Sequence, residues 1–181
     1  ASNSPRRREL LAGLDIDYRV TALPEVDESY PDTLSGEEIP LYISQEKAAA
    51  YRRFMKDNTL LITADTIVWL DGKVYGKPRD IADAKAMLQA LSGKTHTVIT
   101  GVTLTSLQKQ ISFAVSTEVT FAALGDDEID YYVETYRPLD KAGAYGVQEW
   151  IGYIGVTGLK GSYYNVMGLP IQRLYTELKK F

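Results

Sequence analysis

With 181 residues, of which 45% are hydrophobic and 24% charged, the chain has the composition of a folded protein, and its length points to a single domain. It contains no cysteine and one histidine, which excludes disulfides, thiolate metal sites and cysteine nucleophiles and leaves Asp, Glu, Lys, Arg, Ser and Tyr to carry any chemistry. The 24 acidic and 20 basic side chains give a net charge of −4, so a nucleic acid polymer is not the default partner and an anionic ligand must meet a local basic cluster.

The sequence opens on Ala1 and runs directly into Ser2-Asn3-Ser4-Pro5-Arg6-Arg7-Arg8, from which further residues before Ala1 are expected in the natural protein. Ser4 can cap a first helix with Pro5 in its opening turn, Leu10, Leu11 and Leu14 on one stripe and an end near Gly13. Residues 17–23 have β character and lead to an acidic, proline-containing loop over 24–31. Spacings of three to seven among Ile39, Ile43, Ala50 and Phe54 predict an amphipathic helix over about 37–57. Residues 60–64 then read as a buried strand, interrupted by Asp65-Thr66 before a second apolar run at 67–70. Asp71-Gly72 signals a tight turn into 73–75.

Asp80 can cap a third helix over 81–91, and residues 97–107 and 110–122 read as two Val- and Thr-rich strands joined near Gln108-Lys109. A fourth helix is predicted over 126–135 and a closing one over 170–180. Between them, glycines at 152, 155, 158 and 161 read as a glycine-rich loop. Strand and helix alternate before the hairpin, so the expected fold class is α/β, with a mixed parallel and antiparallel twisted sheet and flanking helices. No stretch approaches the ~18 apolar residues of a membrane-crossing helix. A cytoplasmic protein with no membrane partner is expected.

Several groups of residues are candidates for chemistry. The Ser4-Pro5-Arg6-Arg7 helix start combines unpaired N–H groups with guanidinium donors suited to phosphate, although a solvated basic helix end would look the same. Asp65 between apolar runs suits metal binding, proton transfer or hydrogen bonding, or else caps a turn. Asp27-Glu28 can offer oxygen to a hard cation or simply be solvated. Lys47 lies mid-helix among alanines, and Lys77 in a Gly-Lys-Pro loop; either is a ligand contact or a surface lysine. Gly93-Lys94-Thr95 is not a Walker phosphate loop, because Leu88 stands where its first glycine is required. No dinucleotide-binding glycine fingerprint occurs. His96 has no second histidine with which to share a metal and reads as structural. The loop over 140–148 ends on Gln148, whose amide can pair with a base edge.

These motifs fall in an order that resembles the Maf (septum formation inhibitor) family of nucleoside triphosphate pyrophosphatases: residues 1–7, 26–28, 46–48, 64–68, 76–78, 91–98, 100–102, 140–148 and 161–170. The resemblance implies an ITPase/Maf-like fold and hydrolysis of the α–β phosphoanhydride, giving a nucleoside monophosphate and pyrophosphate with a divalent cation, Mg or Mn. Arg6, Thr66 and Gln148 resemble the branch that prefers dTTP and UTP. By the same likeness Asp65 would be the catalytic base and, with Glu28, a metal ligand. Ser4, Arg6, Arg7, Lys47 and Lys77 would hold the triphosphate, and Thr66 and Gln148 would select the base. A homodimer and a role in clearing unwanted nucleotides, coupled to restraint of cell division, are also implied. The alternatives are a purine-directed pyrophosphatase and a nucleotide-binding regulator of septation without turnover. Two departures stand out: the family's short strand before Ala-Ser is absent from this sequence, and Glu149-Trp150 follows Gln148 where a glycine is common.

Overall fold

The structure, a computed structural model, describes residues 1–22 and 25–181. Its elements are α1 (Pro5–Ala12), α2 (Glu38–Arg52), β1 (Leu61–Leu70), β2 (Lys73–Tyr75), α3 (Ile81–Leu91), β3 (Thr95–Thr105), β4 (Gln110–Phe121), α4 (Asp126–Tyr136), a 3-10 turn (Ala142–Ala144), α5 (Trp150–Gly155), β5 (Val156–Lys160), α6 (Tyr163–Met167) and α7 (Ile171–Leu178). The five strands form one sheet in the order β2-β1-β3-β4-β5. Among the described residues no helix is long and apolar enough to cross a membrane.

The α/β class is as expected, but the mixed sheet is not: it is antiparallel throughout. The Asp71-Gly72 turn folds β2 back along β1, placing Tyr75 opposite Val68. Helix α3 then returns the chain to β3, which lies on the other side of β1 from β2. A crossover that skips one strand leaves each adjacent pair antiparallel, so alternation of strand and helix did not mean parallel neighbours.

Three further expectations change. Residues 17–22 form no strand, and Leu23 and Pro24 lie outside the described residues. Asp65-Thr66 does not interrupt β1, which is continuous over ten residues. The glycine-rich stretch is not a loop: Gly152 and Gly155 lie in α5, and Gly158 lies in β5, paired with Thr120 of β4.

The chain divides into two compact units. The first comprises residues 1–66, 99–115 and 168–181. Its α1 begins as the sequence predicts, with Ser4 Oγ accepting from the Arg7 backbone N–H at 3.4 Å and Pro5 in the first turn. Helix α2 buries Ile39, Ile43, Lys47 and Tyr51, one per turn, together with Pro40, Ser44 and Ala48. Thr63 Oγ1 of β1 donates to Ser44 O at 2.7 Å, and Ser44 Oγ meets Thr103 Oγ1 of β3 at 2.8 Å. This close approach depends on Gly101, where a Cβ would run into the Pro40 carbonyl and the Leu41 nitrogen.

The second unit comprises residues 67–98 and 116–167. Its core packs Val68, Leu88, Leu91, Val119, Phe121, Ile129, Tyr132 and Ile151. Helix α4 starts with three acidic residues, which suits its dipole, and Glu128 Oε2 accepts the Gly125 N–H at 2.8 Å. His96 is a buried core residue, its Nε2 lying 2.7 Å from the Tyr145 hydroxyl and its ring edge-on to Phe121. Burial pushes its pKa from 6.5 down to about 4.

Two predictions follow from this packing. Gly101→Ala forces α2 away from β3 and should destabilise the protein by roughly 1–3 kcal/mol in urea unfolding; unchanged stability would mean that α2 does not pack there. For His96, the unfolded chain accepts a proton near pH 6.5 that the folded chain refuses until about pH 4. Its contribution to stability is therefore complete above pH 6.5 and declines as the pH falls toward 4. Between pH 7 and pH 5 the wild type should lose about 2 kcal/mol more than His96→Gln, and equal losses would remove His96 as the sensor.

Candidate active site

The first unit concentrates the candidate residues on β1 and the elements around it. Side chains alternate along a strand, so Thr63 and Asp65 share one face and Thr66 points to the other. Thr63 contacts α2, and Asp65 on the same face meets Lys47, also of α2. Lys47 is 4% exposed, in the middle of a helix face that is otherwise largely apolar. Its Nζ lies 2.9 Å from Asp65 Oδ1 and 2.9 Å from Glu28 Oε1, with Ala64 O at 3.4 Å. An ammonium has three donors, and here three oxygens receive them.

The two carboxylates are held unequally. The Asp65 side chain is 12% exposed, whereas that of Glu28 is 50% exposed on its loop. That loop is shaped beside Glu28 by Asp27, which accepts from Ser29 N at 2.9 Å and from Ser29 Oγ at 2.8 Å. These hydrogen bonds hold the exposed Asp27 carboxyl below its ordinary pKa.

On the other face of β1 is Arg7. Its Nε donates to Gly168 O at 2.8 Å, one terminal nitrogen donates to Ala64 O at 3.1 Å and the other to Thr66 Oγ1 at 2.9 Å. Burial draws the Arg7 pKa below its usual value; Asp65 and Glu28 oppose that shift and Arg6 adds to it. Thr66 Oγ1 also meets Thr100 Oγ1 of β3 at 2.9 Å. Gly168 has φ +121°, a conformation that L side chains rarely adopt, and precedes Leu169-Pro170 and α7.

Of the predicted residues, then, Lys47, Asp65 and Glu28 form one ion cluster, and Arg7 and Thr66 are joined to each other. Ser4 caps the half-buried start of α1, where Arg6 also lies. Lys77 and Gln148 belong to the second unit. Lys77 is exposed after β2, in a loop anchored by the Gly143 N–H donating to Gly76 O at 3.1 Å. Gln148 is half-buried, and its Oε1 is a buried acceptor without a hydrogen-bond partner among the described residues. The end of the 140–148 loop is anchored on α4: Tyr132 donates to Glu149 Oε1 at 2.9 Å and accepts from Gly146 N at 3.0 Å. Sequence reasoning missed Thr100 and Gly168, since a threonine in a β-rich run and a glycine before Leu-Pro carry no local mark of a shared network.

An antiparallel α/β fold in which β1, second in the sheet order, carries a lysine-bridged carboxylate now stands beside the order of motifs. The family described as Maf-like protein matches residues 1–181, and the chain belongs to that family. It is 68% identical over 180 residues to a protein of Phocaeicola vulgatus named dTTP/UTP pyrophosphatase, covering 99% of this chain and 93% of that relative. Proteins with the same name from Bacteroides fragilis and Flavobacterium psychrophilum are 64% identical (99% of this chain, 93% of the relative) and 48% identical (98% and 91%).

The burial contrast in the ion cluster has a stability consequence. Lys47→Met leaves the buried Asp65 carboxylate without its cation and should cost about 3 kcal/mol, whereas Glu28→Gln at the half-exposed end should cost less than about 1 kcal/mol. Equal losses in urea unfolding would show that the two carboxylates are equivalent partners.

Proposed function

We propose that this chain is a nucleoside triphosphate pyrophosphatase that acts preferentially on dTTP and UTP, releasing the nucleoside monophosphate and pyrophosphate. The observation that carries the reading is Asp65, a carboxylate on β1 whose Oδ1 is fixed by Lys47 at 2.9 Å, in a chain closely related to proteins of that name. In this reading water attacks the α-phosphorus, the bond to the bridging oxygen breaks, and its electron pair leaves with pyrophosphate. Asp65 accepts the water proton. Ser4, at the amino end of α1, helps to bind the triphosphate. Arg6, Lys47 and Lys77 neutralise the phosphates and the charge gathering on the leaving group. Thr66 and Gln148 shape base selection.

The residues fit a divalent cation, because Asp65 and Glu28 already share one positive charge, the Lys47 ammonium, through the hard oxygen donors that Mg²⁺ or Mn²⁺ takes. When bound there, such an ion supplies charge neutralisation to the phosphates. Lys47 is drawn to the incoming triphosphate by the same charge that holds it to the two carboxylates. The reading includes a cytoplasmic homodimer that clears unwanted nucleotides, as the family resemblance implies.

The test is a panel of dTTP, UTP, CTP, ITP and XTP with Mg²⁺ or Mn²⁺ and identification of the phosphate product. Fastest turnover of dTTP and UTP with pyrophosphate release is expected, and Asp65→Asn should lower kcat by about 10²–10⁴-fold while retaining affinity for a non-hydrolysable analogue. Orthophosphate release, preference for ITP or XTP, or no turnover would overturn the reading.

A further inference from the structure

We propose that Arg7 is a positioning residue, which sets the place of Asp65 by clamping the strand on both sides of it; the claim rests on the pyrophosphatase activity proposed for the chain. Its guanidinium is a rigid fork, so donors aimed at separate acceptors fix those acceptors relative to one another. Two of the three acceptors, Ala64 O and Thr66 Oγ1, belong to the residues immediately before and after Asp65. The third, Gly168 O, belongs to the segment leading into α7, and the positive φ of Gly168 gives that segment a conformation open chiefly to glycine.

The clamp extends across the sheet. Thr66 Oγ1 meets Thr100 Oγ1, and Thr100 is 0% exposed, so β1 and β3 share a part-buried hydroxyl pair next to the Asp65 carboxylate. Asp65 is thereby held twice: Lys47 fixes its side chain from α2, and Arg7 with Thr66 and Thr100 fixes its backbone from the other face. Arg7 directs its guanidinium at protein oxygens, where the geometry of the fork matters more than its charge. Thr66, beside its proposed part in base selection, joins this clamp through its hydroxyl.

Arg7→Lys separates charge from geometry, because it keeps the cation and removes the fork. The experiment measures kcat and KM for dTTP, affinity for a non-hydrolysable dTTP analogue, and hydrogen–deuterium exchange over residues 63–67, all in the full chain. Arg7→Lys should lower kcat by about a hundredfold, leave KM and analogue affinity within about threefold, and accelerate exchange over 63–67. Thr100→Val, which removes a hydroxyl at constant shape, should change kcat and exchange in the same direction by about tenfold, and Thr100→Ser should restore both. A loss that falls on KM and analogue affinity with unchanged exchange would make Arg7 a phosphate contact and overturn the proposal. Wild-type kcat in Arg7→Lys would also overturn it. If the wild type itself releases no pyrophosphate, the activity fails as a reading, and exchange alone decides the clamp: faster exchange supports it and unchanged exchange overturns it.

Discussion

A lysine ammonium buried in a protein interior is tolerated only when oppositely charged groups surround it, since the desolvation cost amounts to several kcal/mol. Lys47 meets that condition through Asp65 and Glu28, each at 2.9 Å. Much of the first unit can be understood as what this cluster requires. Helix α2 must lie close enough to β1 for Nζ to reach Oδ1, and Gly101 permits the approach of α2 to β3 that brings it there. The hydroxyls of Ser44, Thr63 and Thr103 satisfy polar groups along the same contact, so an interface that carries a charge is also hydrogen-bonded along its length.

The inequality of the two carboxylates connects this packing with function. Asp65 is buried on a strand and Glu28 is half-exposed on a loop, so one partner of Lys47 is fixed and the other faces solvent. In the proposed reaction a triphosphate approaches as a competing anion for the same ammonium. The carboxylate that stays in place is the one assigned to accept the proton, and the one on the loop is the one suited to meet an incoming cation.

Much of this organisation was legible in the amino acids because it is local. Ser4 and Asp80 cap the helices they were expected to cap, and Asp71-Gly72 makes its hairpin. Asp65 stood out because a carboxylate between apolar runs needs a reason. What that reason is could not be read locally, since its partner Lys47 is 18 residues earlier and sits on a helix face that looked no different from a surface one. The same missing partner made β1 look interrupted at Asp65. The sheet was misjudged because helix α3 links two strands that are not neighbours, and adjacency is a property of the whole sheet. Glycine spacing concealed α5 and β5, where pairing with β4 outweighs the weak strand preference of Gly158. The partners of Arg7 lie 57, 59 and 161 residues away in sequence, beyond the reach of any motif.

The central claim is that Asp65 accepts a proton from a water that attacks the α-phosphorus. A single turnover of dTTP in water enriched in heavy oxygen tests it directly. The account predicts one heavy oxygen in the nucleoside monophosphate from the first turnover and none in pyrophosphate. Label in pyrophosphate would contradict attack at the α-phosphorus, and a first-turnover monophosphate carrying an unlabelled oxygen from Asp65 would make that residue a nucleophile instead of a base.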